Sequence, residues 1–339
     1  MDLLENLFLL CGAIALFLYG LKLLSNGVAT LSGESMKKFV RGATSSRCGA
    51  VLAGLVCTAV AQSSIATNMI VITFVEKGII SFFAASAVIM GTNIGTTVTA
   101  QLVSLSTVSD FEISALGSLI AFIGFLFGLA KSKTKKAVGE AMLGFGFIFM
   151  GIELLTGAVE CFKGYSWFTG LFLVENPLLL LLNGFIITAV LQSSSVVTSV
   201  MIVLASLDLL TFKSATFIIL GANIGTCLPV IFASLSMSKE SFKSAVFNIA
   251  FNIAGCLIFF FPLVYFGENI SQIPLFSGTV GRAVANFHTF FNTIVCIVLL
   301  PMLKPFCLLI EKIVDWFLKD NKQSKRKKTF KGAIGQLTR

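Results

Sequence analysis

Apolar residues run almost without interruption along this chain, in stretches of the length that crosses a bilayer. A spanning helix needs ~20 apolar residues to cross a hydrocarbon core of ~30 Å. Seven stretches qualify, roughly 5–31, 81–105, 113–130, 137–160, 213–237, 244–266 and 283–310. Two others, 49–77 and 178–207, are equally apolar but are interrupted midway, by Gln62-Ser63-Ser64 and by Gln192-Ser193-Ser194-Ser195. Each half of an interrupted stretch has about 14 residues, roughly 21 Å of helix, which is too short to cross alone. The pattern predicts an all-α integral membrane protein with about seven spanning helices and two re-entrant helical hairpins.

Charge decides between a re-entrant hairpin and a single kinked span. Basic residues concentrate at Lys37, Lys38, Arg41 and Arg47, at Lys131, Lys133, Lys135 and Lys136, at Lys239 and Lys243, and in the tail. The intervening loops carry Asp110 and Glu112, Lys163 and Glu175, and Glu268 and Arg282. With both interrupted stretches as hairpins, every basic loop falls on the cytoplasmic side, the N-terminus outside and the C-terminus inside. One crossing at 49–77 would put the first two basic loops on opposite faces.

Composition agrees with this reading. Of 339 residues, 56 % are hydrophobic and 12 % charged, and the mean hydropathy is +0.94, which excludes an ordinary soluble domain. The acidic start, MDLLENLFLL, lacks a small-residue cleavage site, so no signal peptide is expected. Much of the +9 net charge lies in Lys319–Arg339, with eight basic residues and one acid. Beside a membrane such a tail fits anionic lipid better than nucleic acid. The eight cysteines are scattered through apolar segments without metal-ligand spacing and read as packing residues. A single histidine and the absence of a catalytic pair argue against an enzyme.

The two interrupted stretches are copies. Laying Gly54–Leu102 on Gly184–Phe232 without gaps gives 16 identities in 49 positions, among them the Gln-Ser-Ser clusters and Asn93-Ile94-Gly95-Thr96 on Asn223-Ile224-Gly225-Thr226. With one residue of slippage LYGLKLLSNGV from Leu18 meets FMGIELLTGAV from Phe149. Together with the charge pattern this predicts inverted repeats, about 5–130 and 137–266, and a final helix 283–318, forming one transport domain (1–318) before a basic cytoplasmic tail (319–339). Paired broken segments in inverted repeats mark secondary transporters, whose sites lie near the midplane.

Irregular backbone inside a bilayer is tolerated only where protein or a watery cavity surrounds it. A helical arm starting at each cluster would aim free N–H groups and a positive dipole end into such a cavity, an anion receptor. The candidate substrate-binding residues are Gln62, Ser63, Ser64, Gln192, Ser193, Ser194, Ser195, Asn93 and Asn223. Hydroxyl and carbonyl oxygens also suit a hard cation, and the candidate sodium ligands are Ser64, Thr67, Thr96, Ser194, Thr198 and Thr226. The glycines beside Asn93 and Asn223 predict that both segments unwind and expose carbonyls. The plainer alternative is that small residues let helices pack closely. No Lys or Arg lies within these segments, so neutral dipoles and a companion cation would hold the anion. Lys22 and Glu153 occupy matched places, either as transport charges or as an ion pair or snorkelling side chains.

A later pattern repeats at 40 residues, AVFNIAFN from Ala245 and ANFHTFFN from Ala285. It places Asn248 and Asn252, and His288 and Asn292, at i and i+4 on one face. His288 is expected to be a hydrogen-bonded packing residue, with proton relay as the alternative. Asn252 and Asn292 are expected to bond carbonyls across helices.

These motifs jointly resemble the bacterial branch of the type II sodium-phosphate cotransporter family, from about Leu16 to Leu300. The resemblance implies sodium-coupled symport of inorganic phosphate by alternating access in the bacterial inner membrane, with Na+ as coupling ion and phosphate and membrane lipid as partners. Ile65 replaces a hydroxyl of the family pattern and Asn248 stands where relatives often have His. Other readings stay open: another oxyanion or a small carboxylate as cargo, or a phosphate-responsive membrane regulator without transport. A homodimer is compatible with all of them.

Overall fold

A computed structural model describes residues 3–105, 113–162, 165–166 and 174–318. The basic tail, and the loop holding Asp110 and Glu112, lie outside the described residues. Those described form helices α1 (Leu3–Ala43), α2 (Arg47–Ala61), α3 (Ser64–Glu76), α4 (Phe82–Leu105), α5 (Ile113–Gly128), α6 (Lys133–Phe162), α7 (Pro177–Leu191), α8 (Ser194–Ser206), α9 (Phe212–Gly225), α10 (Cys227–Ser234), α11 (Lys239–Ser271), α12 (Val280–Leu299) and α13 (303–318). A short 3-10 turn, Pro274–Phe276, precedes α12. No strand occurs among the described residues.

Among the described residues six helical stretches are long and apolar enough to cross a bilayer: Leu4–Leu31, α4, α6, Phe212–Ser234, Lys239–Gly267 and α12. The chain is a multi-pass membrane protein. The segment 113–130 is the 16-residue α5, which begins where the described residues resume. One sequence expectation needs correction. The final helix is two helices rather than one, with a break at 300–302 around Pro301, which cannot donate a backbone hydrogen bond and whose ring crowds the preceding turn.

Glycines set the closest helix contacts. A Cβ at Gly54 of α2 would overlap the Val88 carbonyl of α4; Gly91 and Gly95 of α4 press in the same way on the Val51 and Leu55 carbonyls. Each contact recurs 130 residues later: Gly184 on Ile218, Gly221 on Leu181, Gly225 on Phe185. Rising residue numbers pair with rising numbers, so α2 runs parallel to α4, and α7 to α9. Helix α1 is antiparallel to α6, with Gly20 against Ile148 and Gly151 against Phe17. The upstream overlay pairs Gly20 with Gly151 and Phe17 with Ile148, so exchanging partners turns one contact into the other, the pattern of an isologous interface.

Between the members of each parallel pair the chain doubles back. Gln62, at the end of α2, lies beside Thr99 of α4. Asn68, six residues further on, lies beside Thr92, seven residues earlier in α4. Helix α3 therefore returns along α4. The core around these elements is rich in phenylalanine: Phe82, Phe212, Phe247, Phe251, Phe287 and Phe291 are buried. Edge-to-face pairs such as Phe212–Phe287 and Phe259–Phe291 fill it.

Candidate functional site

Both polar clusters terminate one helix and start another through the same two-residue geometry. Gln62 (φ 52°, ψ 23°) and Gln192 (φ 54°, ψ 29°) are left-handed and donate their N–H to the carbonyls of Thr58 and Thr188. Ser63 (φ −147°, ψ 104°) and Ser193 (φ −152°, ψ 105°) are extended N-caps whose hydroxyls accept from Ala66 N and Val196 N. A left-handed glutamine is a strained choice where glycine would be at ease. The first-turn N–H groups of Ser64, Ile65, Ser194 and Ser195 find no acceptor among the described residues. The geometry thus leaves open donors at the positive ends of α3 and α8.

The remaining candidates gather around these ends. In the first half, Thr99 Oγ1 donates to Gln62 Oε1 at 2.6 Å, while Ser25 Oγ of α1 donates to the Ala61 carbonyl at 2.7 Å. Thr67 is buried and donates to the Ser63 carbonyl. Asn93 donates to the Ile89 carbonyl and buried Thr96 to that of Thr92. In the second half Ser194, Ser195, Thr198 and Asn223 are buried and Gln192 is exposed. Asn223 Nδ2 reaches Asn292 Oδ1 at 3.4 Å, and Thr226 Oγ1 donates to the Asn223 carbonyl. The halves interlock: α8 packs on α4, the helix that carries Asn93–Thr96, and α3 packs on α10, the short helix that follows Thr226.

The expected unwinding is corrected. Asn93–Thr96 stays inside the continuous helix α4, because Gly91 and Gly95 are used for close contact with α2. The second segment breaks only at Thr226, which keeps helical dihedrals (φ −64°, ψ −16°). Pro229, four residues beyond Gly225, removes the N–H that would bond the Gly225 carbonyl.

Several site residues escaped the sequence reasoning. Thr198 overlays Asn68, not Thr67. Asn68 Oδ1 accepts from Thr92 Oγ1 at 3.0 Å, whereas Ala222 stands where a second Thr92 would be. The Thr198 hydroxyl is accordingly buried without a partner among the described residues. Thr58 and Thr188 overlay each other, and both hydroxyls are likewise buried and unpartnered among the described residues, beside Gly95 and Gly225. Their identity in the overlay was the signal.

The later motif is corrected in part. Both ring nitrogens of His288 lack a hydrogen-bond partner among the described residues, contrary to the expected hydrogen-bonded histidine. Asn252 and Asn292 bond carbonyls within their own helices, those of Asn248 and His288. Their cross-helix contacts are Cys227 Sγ and the Asn223 amide. Lys22 and Glu153 are exposed and make no ion pair with each other, which fits snorkelling. At the far end of α3, Glu76 Oε2 accepts from Ser238 N and Ser241 Oγ, both at 2.7 Å, at the start of α11. Hydrogen bonds from the Ser238 hydroxyl, the Ser241 hydroxyl and the Ser238 N–H hold the Glu76 carboxyl below its usual range.

The profile described as Na+/Pi-cotransporter matches residues 16–157 and 171–284. YjbB of Escherichia coli K12, provisionally named as an inorganic phosphate export protein, is 26 % identical over 309 residues, covering 90 % of this chain and 55 % of the relative. The chain thus spans about half the length of that relative. YqeW of Bacillus subtilis, of unassigned function, is 27 % identical over 311 residues, 89 % of this chain and 96 % of its own. Human sodium-dependent phosphate transport protein 2B is 30 % identical over 135 residues, 36 % of this chain and 20 % of the relative. No solved structure matches significantly.

Proposed function

The chain belongs to the Na+/Pi-cotransporter family, and from that premise we propose that it carries inorganic phosphate together with sodium across a bacterial inner membrane by alternating access. The observation that carries this reading is the pair of identical breaks at Gln62-Ser63 and Gln192-Ser193, each opening a helix with unpaired N–H donors. Phosphate oxygens suit those donors and the Ser64, Ser194 and Ser195 hydroxyls. Desolvating phosphate alone is prohibitive, and with no Lys or Arg in the clusters, sodium supplies the neutralising charge. The unpartnered Thr198 hydroxyl is an oxygen available to that ion, with Thr67, Thr96 and Thr226 as further ligands.

In this reading α2–α3 and α7–α8 are re-entrant hairpins. Their arms of 15 and 13 residues reach roughly 22 and 20 Å, less than a bilayer core. The two halves are inverted in the membrane, with the N-terminus outside and the C-terminus cytoplasmic as the basic loops require. The exchange of contacts between α1 and α6 supports that two-fold relation.

Accumulation of labelled phosphate in proteoliposomes under an inward sodium gradient tests the proposal. Uptake driven equally by potassium removes the coupling, and binding without accumulation favours a regulator. Ser64→Ala or Ser194→Ala is expected to abolish uptake with expression intact; normal transport in both defeats the site. The provisional name of the Escherichia coli relative favours a second reading, phosphate efflux. Loading the vesicles with phosphate and reversing the gradient separates the two directions.

A further inference from the structure

A cavity of about 330 Å³ lies between α2, α4 and α12. Its walls are largely aliphatic, from Leu55 of α2 and Ile94, Val98, Leu102 and Leu105 of α4. Ile94 and Leu105 are 11 residues apart on one continuous helix, so the cavity follows α4 for roughly 16 Å, about half the thickness of a hydrocarbon core. Its inner end is Ile94 and Thr97, which flank Gly95 and the candidate ligand Thr96 and stand next to Asn93.

The outer end carries Arg282. Its Nη1 donates to Ser104 Oγ at 2.9 Å, one residue from Leu105, and the guanidinium has further N–H donors to offer. No carboxylate pairs with it among the described residues. Deeper in, Gln101 Nε2 donates to Thr289 Oγ1 at 2.8 Å and to the Ala285 carbonyl at 3.1 Å. These bonds pin α12 along α4, so the arginine stands at a fixed mouth. A cation at the head of a cleft with low-dielectric walls concentrates its field along the cleft and raises the local concentration of opposite charge.

We propose that Arg282 and this apolar cleft form a vestibule that captures inorganic phosphate and delivers it toward the Asn93–Thr96 stretch of α4. This assignment rests on the transport reading above, and supplies the fixed cation that the two serine clusters lack. Arg282 acts on entry: it meets the still hydrated anion at the mouth, and sodium and neutral dipoles take over further in.

Charge-selective labelling tests the vestibule independently of transport. Leu102→Cys is made in a chain whose exposed cysteines, Cys11, Cys48 and Cys161, are replaced by serine. It is then treated with an anionic (sulfonatoethyl) or a cationic (trimethylammonium-ethyl) methanethiosulfonate. With Arg282 in place the anionic reagent is expected to react about tenfold faster than the cationic one at low salt, and millimolar phosphate to slow it. Arg282→Gln is expected to remove both effects, while Arg282→Lys keeps most of the preference. Equal rates for the two reagents, or labelling indifferent to phosphate, overturn the vestibule even where the wild-type protein transports phosphate. In uptake, Arg282→Gln is expected to raise the phosphate KM about tenfold with the maximal rate within about twofold. A lost maximal rate at unchanged KM overturns the entry role. Wild-type vesicles that accumulate no phosphate refute the transport reading instead, and the labelling arms still decide the vestibule.

Discussion

Thr99 of α4 donates to the Oε1 of Gln62 at 2.6 Å, holding the left-handed residue at the first break by its side chain. Residue 229, the counterpart of Thr99, is a proline, and Gln192 is exposed. The two breaks share a backbone geometry but are secured differently. Thr99→Val is expected to cost about 0.6 kcal/mol, the average for a side-chain hydrogen bond between membrane helices, and to slow transport. Thermal unfolding in detergent, beside phosphate uptake, checks it; a neutral effect on both would show that the backbone alone holds the break.

The unpartnered hydroxyls of Thr58 and Thr188 lead to an opposite stability effect. A buried polar group without a partner costs about 1–3 kcal/mol, so Thr58→Val and Thr188→Val, which keep the shape, are expected to raise the melting temperature. If these hydroxyls are kept for cargo, the same variants lose uptake by about tenfold or more. A stabilised variant with full transport would make them packing residues.

Glycine replacements divide sharply by position. Gly91→Ala and Gly221→Ala drive a methyl group into the Val51 and Leu181 carbonyls, and monodisperse protein is expected to be lost. Gly12 and Gly157 have open space around them, and alanine there is expected to be tolerated or to stabilise by up to ~1 kcal/mol through helix propensity. Size-exclusion profiles of the four variants decide the matter.

Glu76 gives the fold an acid sensitivity. Because its folded pKa lies below the unfolded value of 4.5, its contribution is fully present above about pH 4.5 and is lost as pH falls through the folded pKa. Glu76→Gln is expected to flatten that part of the stability profile and to loosen α3 from α11. Unfolding midpoints measured from pH 6 down to pH 3, for both proteins, would refute the link if the profiles stay parallel.

Much of this architecture was legible in the amino-acid order, and the misreadings have physical causes. The breaks at Gln62 and Gln192 were visible because a polar cluster inside an apolar run must be accommodated somewhere. The role of Gly91 and Gly95 was not, because the same residue permits unwinding and close approach, and only the neighbouring Val51 and Leu55 carbonyls decide between them. Hydropathy is also blind to Pro229 and Pro301, which interrupt helices without lowering the apolar average. Asn68 stayed hidden for another reason: its counterpart is Thr198, so the duplicated position carries two residue types, and an overlay of identities passes over it. Arg282 lies far along the chain from α4, and only the docking of α12 brings it to the Ser104 end of that helix.

Pro229 has a wider consequence. A transporter with two identical halves would possess two resting shapes of equal energy, one facing each side, with nothing to choose between them. If this chain alternates between two such shapes as proposed, the proline that stands at the Thr99 position in only one half, with the other differences between the halves, removes that degeneracy and favours one resting shape over the other.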